Sequence, residues 1–287
     1  MIPVEQIATI NPTTVSFEES LPGAASKMKT HHIHHLPVVD GDRLVGMLST
    51  SDLCGITQDA VCPKRNSKRP NRPFAQGLQV GDVCTNSLHV VSGETSLARA
   101  AWMMIRNKIR SLPLVRDGRL IGILTDTDLL RLCISDSYRE PDLDRMHKWR
   151  ATYVADAMSS DVVTIEPSAS ALHAWMLMCE RNIRHLPVVR DDGFLVGILS
   201  EHDVLYALRG TKPATEKSEI QGAVQDFVVR DIMTSEIVSI GKYETLAEAA
   251  QKMLTHDIAA LIVLEYDIKG VITRTDLIKM LLRVTGM

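Results

Sequence analysis

The sequence is poor in several features that mark common functional classes. Aromatic residues make up only 4% of the 287 residues, which is too few for a platform that stacks single-stranded bases. Lysine and arginine number 32 against 35 aspartates and glutamates, so the formal charge is -3. A protein that mainly coats nucleic acid or an anionic membrane needs a basic surplus. The composition therefore argues against both roles.

Long apolar runs and paired cysteines are also missing. No run approaches the roughly 18–20 apolar residues that cross a bilayer, and the initial MIPVEQIATI lacks the basic and apolar regions of a signal peptide. The five cysteines are scattered without CxxC spacing, so neither a disulfide framework nor a zinc site is expected. We expect a reduced, cytoplasmic protein without membrane contact.

One sequence unit recurs four times along the chain. The segment LPVVDGDRLVGMLSTSDL at 36–53 is matched at 112–129, at 186–204 and, in a worn form, at 261–277. A glycine column and a methionine column stay in step with it over the whole chain. Self-similarity at a fixed period is typical of repeated supersecondary units. The columns are Gly46, Gly122, Gly197 and Gly270, and Met28, Met104, Met178 and Met253.

Each copy predicts the element order β-α-β-β-α, so the fold class is α/β (α+β). A short β-rich segment precedes a helix, whose apolar face in the second copy is predicted from Ala98, Ala101, Trp102 and Ile105. The Leu-Pro strand, an Asp/Gly turn and a second strand follow. We expect the methionine column in the core, and Trp102 and Trp175 between copies or subunits.

The repeats are separated by polar segments without apolar periodicity. One copy alone buries too little apolar surface to be stable, so we expect the first to pair with the second and the third with the fourth. The predicted repeats are 1–58, 79–134, 153–209 and 228–287, and the linkers are 59–78, 135–152 and 210–227.

The first linker is strongly basic over 64–72. We interpret it as a solvated loop, because it lacks the interleaved aromatic residues of a nucleic-acid-binding arm, which is the alternative. Its basic residues are Lys64, Arg65, Lys68, Arg69 and Arg72.

The repeated pattern of a helix, Leu-Pro-Val-Val, a turn and a Gly-x-x-[Ser/Thr]-x-x-Asp strand end resembles the CBS domain. Four copies resemble two tandem Bateman modules, with a layout similar to the gamma subunit of AMP-activated protein kinase. The resemblance implies a disk-like, non-catalytic sensor. It would bind an adenosyl ligand (AMP, ADP, ATP, S-adenosylmethionine, NAD or a dinucleotide) between paired repeats and regulate a partner protein. A homodimer is expected, and a disk closed within one chain is the alternative.

Four Ser/Thr-Asp pairs at predicted helix starts are candidate ribose and phosphate contacts. A carboxylate can accept hydrogen bonds from two ribose hydroxyls, and a hydroxyl beside free helix N–H groups suits a phosphate. The same spacing is also a helix cap worth about 1 kcal/mol, so both interpretations stay open. The pairs are Ser49 and Asp52, Thr125 and Asp128, Ser200 and Asp203, and Thr273 and Asp276. Arg274 is a further phosphate candidate, with an exposed helix-start arginine as its alternative.

The resemblance places the two residues before each Leu-Pro beside the ligand phosphates, where a guanidinium binds by bidentate bonds. Apolar residues would surround the adenine, and Mg²⁺ could accompany the phosphates. The phosphate-facing residues are then His34, His35, Arg110, Arg184 and His185, and the adenine residues are Val15, Ile33, Leu88, Ile109, Val163 and Ile183.

By the same resemblance each pocket is composite, with the Ser/Thr-Asp pair of one repeat facing its partner repeat. Asp52 would meet Arg110 and Leu88, Asp128 would meet His34, His35 and Val15, Asp276 would meet Arg184, His185 and Val163, and Asp203 would face only Ala259 and Ala260.

Two other functions are considered less favourable. The histidine run at 31–35 spans a predicted helix end and strand start, so its rings would not converge, and no metal site is expected. The sequence contains no GxGxxG, GxxxxGK[ST], HExxH or GxSxG motif, so no enzyme is expected. The main alternative to a sensor is a partner-binding scaffold with degenerate pockets.

The fourth copy has Ile262 in place of proline and no base before it. We therefore predict that the Ser200 and Asp203 pocket binds phosphates most weakly. Of the four Asp→Ala variants in the caps, Asp203→Ala should reduce nucleotide affinity least in calorimetric titrations. The largest loss in that variant would refute the ranking.

Overall fold

The computed structural model describes residues 2–54, 78–135, 143–209 and 227–285. The basic stretch 64–72 and most of the third linker lie outside these residues. Within the described ranges, no helix is both long and apolar enough to cross a bilayer.

The first two repeats contain the following elements. Repeat 1 consists of a 3-10 turn at Val4–Gln6, β1 (Thr9–Ile10), β2 (Val15–Ser16), α1 (Leu21–Thr30), β3 (His35–Asp40), β4 (Arg43–Ser49) and α2 (Thr50–Cys54). Repeat 2 consists of α3 (Val80–Val83), α4 (Leu97–Asn107), β5 (Ser111–Arg116), β6 (Arg119–Thr125) and α5 (Asp126–Ile134), and α6 (Leu143–Ala151) follows it.

The last two repeats have the same order. Repeat 3 consists of a 3-10 turn at Val154–Asp156, α7 (Ala171–Arg181), β7 (His185–Val189), β8 (Leu195–Ser200) and α8 (Glu201–Arg209). Repeat 4 consists of α9 (Val229–Ile232), β9 (Ser239–Ile240), α10 (Leu246–Thr255), β10 (Ala260–Leu264), β11 (Ile268–Thr273) and α11 (Arg274–Thr285).

The predicted β-α-β-β-α order is confirmed in each repeat. The Leu-Pro strand and the following strand form an antiparallel hairpin with the same register in all four copies. The first strand is reduced to a single parallel bridge in repeats 2 and 3. In every hairpin the residue before Leu-Pro lies opposite the Ser/Thr. These pairs are His35 and Ser49, Ser111 and Thr125, His185 and Ser200, and Ala260 and Thr273.

Paired repeats exchange their leading segments. Each segment inserts one fully buried valine into the core of the partner repeat, at 0% exposure. Its backbone N–H donates to a partner carbonyl at 2.8–2.9 Å. The predicted pairing of repeat 1 with 2 and of repeat 3 with 4 is thus confirmed. The valines are Val4, Val80, Val154 and Val229, which bond to Thr95, Glu19, Glu244 and Ala169.

The exchanged segments explain the glycine column, because they pass close to these glycines. A Cβ atom built at Gly270 would lie 2.7 Å from the carbonyl oxygen of Ser159, and one at Gly197 would lie 2.9 Å from that of Thr234. Both oxygens belong to exchanged segments. Because backbone atoms cannot move aside cheaply, any larger residue would push the partner's segment away.

The two modules also meet within one chain. Helices α4, α5 and α6 pack against α10 and α11, so repeats 2 and 4 share one hydrophobic core, while α2 contacts α8 and joins repeats 1 and 3. The described contacts therefore join the two modules within one chain, and a disk closed within one chain stays a prediction. Association of a second copy stays a prediction.

The predicted linker over 135–152 contains a helix in its second half, which the sequence pattern did not indicate. Helix α6 occupies Leu143–Ala151, and its Trp149 is fully buried, with Nε1 donating to the carbonyl of Leu277 at 3.2 Å. The Nε of Arg150 donates to the carbonyl of Cys133 at 2.7 Å. Because Trp149 is a single large apolar residue on a mostly polar helix, the sequence shows no apolar periodicity that would predict the helix.

The methionine column is buried in all four repeats, as predicted. The predicted face of α4 is right for Ala101, which is buried, and for Ile105, which packs against the core, but wrong for Trp102, which is 38% exposed. The guanidinium groups of Arg99 and Arg106 lie 4.6 and 5.0 Å from the centre of the Trp102 ring. Cation–π contact and the aliphatic arginine stems let this indole remain at the surface. Trp175, in contrast, is buried in the core of repeat 3.

The two tryptophans provide a matched stability test. We predict that Trp149→Ala lowers the free energy of unfolding by about 3–5 kcal/mol, because removal of the indole leaves a cavity at the junction of repeats 2 and 4. Trp102→Ala should cost less than about 1 kcal/mol at its exposed site. Urea unfolding followed by circular dichroism measures both values, and similar losses would show that α6 does not anchor the junction.

Candidate functional site

The four Ser/Thr-Asp pairs form one hydrogen-bonded cap at the starts of α2, α5, α8 and α11. In each, the aspartate Oδ2 accepts from the hydroxyl and the backbone N–H of the Ser/Thr. In chain order the hydroxyl bonds are 2.8, 2.7, 2.6 and 2.6 Å long, and the backbone bonds 2.8, 2.8, 2.7 and 3.1 Å. The capping interpretation is therefore what these contacts show. A ligand role stays a prediction and would fall on the second carboxylate oxygen, since the cap uses Oδ2.

Two of these aspartates have further interactions. The Oδ1 of Asp276 already accepts from Lys279 at 3.2 Å. Burial raises the pKa of the Asp128 carboxyl, and its hydrogen bonds to Thr125 oppose that rise. The four caps thus differ in their surroundings although their internal geometry is the same.

The residue after each cap Ser/Thr lies beside the first of the two residues before Leu-Pro. Its backbone N–H donates to that residue's carbonyl at 2.8–3.1 Å in every repeat. The side chains of these two columns therefore emerge next to each other. The donor and acceptor pairs are Thr50 and His34, Asp126 and Arg110, Glu201 and Arg184, and Arg274 and Ala259.

Two predicted phosphate-facing arginines are paired with acids of their own repeat. The Nε of Arg110 lies 2.7 Å from Oδ2 of Asp126, and that of Arg184 lies 3.3 Å from Oε2 of Glu201. The acid side chains are only 10% and 11% exposed. Sequence analysis missed both acids. The signal was an acid directly after the cap Ser/Thr in the two copies that carry an arginine two residues before Leu-Pro.

Arg274 is not the exposed helix-start arginine of its alternative interpretation, and a phosphate role for it stays a prediction. Its side chain is 7% exposed, so it is not a surface arginine, and four hydrogen bonds of 2.9–3.3 Å occupy its guanidinium. Because the local position is Ala259, Arg274 extends into repeat 2 and approaches Asp126 to 3.7 Å. The structure thus places it at the junction of repeats 2 and 4. Its hydrogen-bond partners are Ile258, Thr127, Met253 and Asp257.

His35 and His185, which directly precede Leu-Pro, are half-buried. Burial lowers the pKa of His35 to about 4, where Asp126 opposes the shift and Arg110 adds to it. Burial likewise lowers the pKa of His185 to about 4, with contributions from Arg110 and Arg184. Desolvation thus disfavours the charged ring of both histidines at pH 7, and their contact with a phosphate or a base stays a prediction.

These side chains belong to one group that we name the central cluster. Repeats 1, 2 and 3 contribute to the electrostatic surroundings of His35. Repeat 4 joins through Arg274 and through Asp257, whose Oδ2 lies 3.6 Å from Nε2 of His34. The proximity of His35 to Asp126 agrees with the composite pocket expected beside the Thr125 cap, and the other composite pockets stay predictions. The central cluster comprises His34, His35, Arg110, Asp126, Arg184, His185, Glu201, Asp257 and Arg274.

The histidine run is divided as predicted. Helix α1 ends at Thr30, His32 has a left-handed φ of 51°, and β3 begins at His35. Within the described ranges no group of three or more His, Cys, Asp or Glu side chains could hold a metal ion.

Of the expected adenine residues, Ile33, Ile109 and Ile183 share one structural position. Each follows its repeat's first long helix, is half-buried, and donates its N–H to the carbonyl of the methionine column at 2.9–3.0 Å. Ile258 has the same bond in repeat 4. Sequence analysis missed it because that copy is worn, although its distance from Met253 matches the other copies.

The remaining adenine residues are not equivalent to one another. Val15 is 1% exposed and belongs to the core of repeat 1, so its side chain is not at the surface of this structure. Leu88 and Val163 are half-buried and lie two or three residues before the matching buried position. The sequence analysis chose positions that are not equivalent in the four repeats, because the equivalent positions of the first strands are defined only by their pairing with the Leu-Pro strands. The buried position is Val15, Val91, Ile165 and Ile240, bonded to or bridged with Val38, Leu114, Val188 and Val263.

An open cavity of about 430 Å³ lies on repeat 3 between Thr164, His173 and Arg190. It contains none of the predicted site residues, so it is separate from the central cluster.

Comparison with known proteins gives a consistent match over the chain. The model of the CBS domain family matches residues 4–57, 80–135, 154–210 and 229–283. MJ1404 of Methanocaldococcus jannaschii is 27% identical in an alignment of 287 positions, which covers 96% of this chain and 61% of MJ1404. The chloroplastic CBS domain-containing protein CBSX2 of Arabidopsis thaliana is 33% identical in an alignment of 162 positions, which covers 50% of this chain and 68% of CBSX2. The chain therefore spans less than two thirds of MJ1404.

Two solved structures share the whole architecture. MJ1225 of M. jannaschii, proposed as an archaeal homologue of gamma-AMPK, superposes with a TM-score of 0.75 at 22% identity, covering 97% of this chain and 99% of its own. An uncharacterized conserved protein from Pyrococcus horikoshii gives a TM-score of 0.62 at 23% identity, with 98% and 100% coverage. At these identities the similarity concerns the fold.

The depressed histidine pKa values predict a loss of stability in acid. Unfolded histidines bind protons near pH 6.5, but His35 and His185 do so only near pH 4. Between pH 6.5 and pH 4 the unfolded chain therefore binds more protons than the folded chain, which lowers the free energy of unfolding as the pH falls. The loss is about 1–2 kcal/mol for each histidine at pH 5, and there is none above pH 6.5.

The double variant His35→Gln/His185→Gln should therefore lose less stability than the wild type between pH 7 and 5 in urea unfolding. His89→Gln, at an exposed site, serves as the control and should follow the wild type. Parallel pH profiles for the double variant and the wild type would contradict the assignment.

Proposed function

Because the chain is a member of the CBS domain family and carries four copies of that domain, we propose that it is a cytoplasmic regulatory protein that binds an adenosine-containing ligand between paired repeats. Proteins of this family are generally regulatory rather than catalytic. AMP, ADP and ATP, with or without Mg²⁺, and S-adenosylmethionine are the candidate ligands.

The observation that carries the proposal is the repeated juxtaposition of three groups in every copy. A cap carboxylate stands at a helix start, the cap Ser/Thr pairs with the residue two positions before the Pro37 column on the neighbouring strand, and a half-buried isoleucine follows the preceding helix. A carboxylate oxygen suits ribose hydroxyls, and an apolar wall suits an adenine ring. Polar groups converging beside apolar ones are typical of small-molecule sites.

Similarity to CBSX2 supports the ligand class. CBSX2 has been crystallised in complex with AMP, and its sequence is 33% identical to this chain over 162 residues. This relation covers half of the chain, so it supports an adenosyl ligand for a pair of repeats rather than a particular number of bound molecules.

A ligand in these clefts could act on the whole chain through the central cluster. Arg274 of repeat 4 donates to Thr127 of repeat 2 at 2.9 Å, two residues after the Thr125 cap. A ligand that binds one arrangement of this junction more tightly than another shifts the population toward it. We extend the proposal to a change of shape or of homodimer association that a partner protein senses.

The test is ligand-induced stabilisation of the full chain. A ligand that binds only the folded protein raises its stability, by about 2.7 kcal/mol at one hundred times its dissociation constant. At least one of AMP, ADP, ATP and S-adenosylmethionine should therefore raise the melting temperature in a thermal-shift assay. If none does, the scaffold interpretation is favoured.

A cap variant locates the site. Asp128→Asn keeps an oxygen for the cap but removes the second carboxylate oxygen that would bind ribose. It should weaken binding at one site about tenfold or more in calorimetry, because a hydrogen bond to a charged group contributes about 1.5–3 kcal/mol. Asp192→Asn is the charge-matched control at an exposed turn, and equal affinities for the two variants would contradict the assignment.

A further inference from the structure

Two arginines, Arg110 and Arg274, lie beside the carboxylate of Asp126 at the junction of repeats 2 and 4. It accepts a charge-assisted bond from Arg110 Nε at 2.7 Å, and Arg274 Nη1 lies 3.7 Å from its other oxygen. Burial alone would raise the pKa of Asp126, but these guanidinium groups bring it below its usual value. A negative charge therefore stands permanently beside the arginine that was expected to bind phosphate.

Glu201 repeats the arrangement in repeat 3. Its carboxylate is 11% exposed and lies 3.3 Å from Arg184, the other arginine expected to bind phosphate. The two acids occupy the same position in their repeats, directly after the cap residues Thr125 and Ser200. One device is thus present in both modules.

The formal charges within the central cluster balance. Arg110, Arg184 and Arg274 are matched by Asp126, Glu201 and Asp257. The half-buried His35 and His185 have pKa values lowered to about 4, so they add no positive charge at pH 7, and the cap aspartates lie in the same repeats. A phosphate approaching Arg110 or Arg184 therefore meets a guanidinium whose positive charge is already balanced by a carboxylate beside its Nε, so the net electrostatic attraction for the phosphate is small.

We infer that the pockets served by Arg110 and Arg184 select adenosyl ligands whose 5′ substituent is uncharged or carries a cation, and that Asp126 and Glu201 are the specificity-determining residues. The inference rests on the proposed function, and it narrows the ligand class of the same site. A thioether leaves both ion pairs intact, and a sulfonium is attracted by the carboxylates. A phosphate is repelled by them.

Calorimetry on the full chain tests this with four probes: 5′-methylthioadenosine, S-adenosylmethionine, AMP and ATP. The wild type should bind the first two at least tenfold more tightly than AMP, and ATP most weakly. Glu201→Gln and Asp126→Asn should each tighten AMP binding about tenfold and change 5′-methylthioadenosine binding less than twofold. Asp192→Asn removes the same charge from an exposed turn and should leave the ratio of the two affinities unchanged.

The outcomes separate this inference from the proposed function. Tighter binding of AMP than of 5′-methylthioadenosine by the wild type would overturn the inference alone, as would an unchanged affinity ratio in the folded acid variants. Absence of binding by all four probes would overturn the proposed function and the inference with it. Asp126 also contacts Arg274 at the repeat junction, so if Asp126→Asn does not fold, Glu201→Gln decides.

Discussion

The architecture depends on the exchange of leading segments between paired repeats. Each exchanged segment buries a valine completely in its partner and closes a backbone hydrogen bond there. A separate repeat would lose the valine that its partner inserts into its core, and the partner segment that covers its glycine-containing strand. Pairing therefore completes the core of each repeat.

The second constraint is that the two modules meet through charged groups as well as apolar ones. Repeats 2 and 4 share a hydrophobic core, and at its edge Arg274 connects the helix starts of the two repeats. The side chains nearest the candidate pockets are thus also those that join the modules. A ligand that disturbs Arg110 or Asp126 acts directly on this junction, which is the physical requirement for coupling between sites.

The helix caps show why local chemistry could not reveal function alone. The bonds between Thr125 and Asp128 satisfy a helix start fully by themselves, so their recurrence is explained without a ligand. What makes the site a candidate is the arrangement around the caps, where the histidines of one repeat approach the acid of another. The evidence for binding therefore lies in the relation between repeats and in the family to which the chain belongs.

The sequence by itself determined the number of repeats, the β-α-β-β-α order, the hairpins and the caps, because these depend on contacts between residues close in the chain. Tertiary structure alone decided that Trp149 anchors a helix, that Arg274 is buried, and that Val15 faces a core rather than a cleft. It also decided that His35 is neutral and that Arg110 is paired with an acid. Burial and ion pairing arise from neighbours distant in the chain, and periodicity carries no information about them.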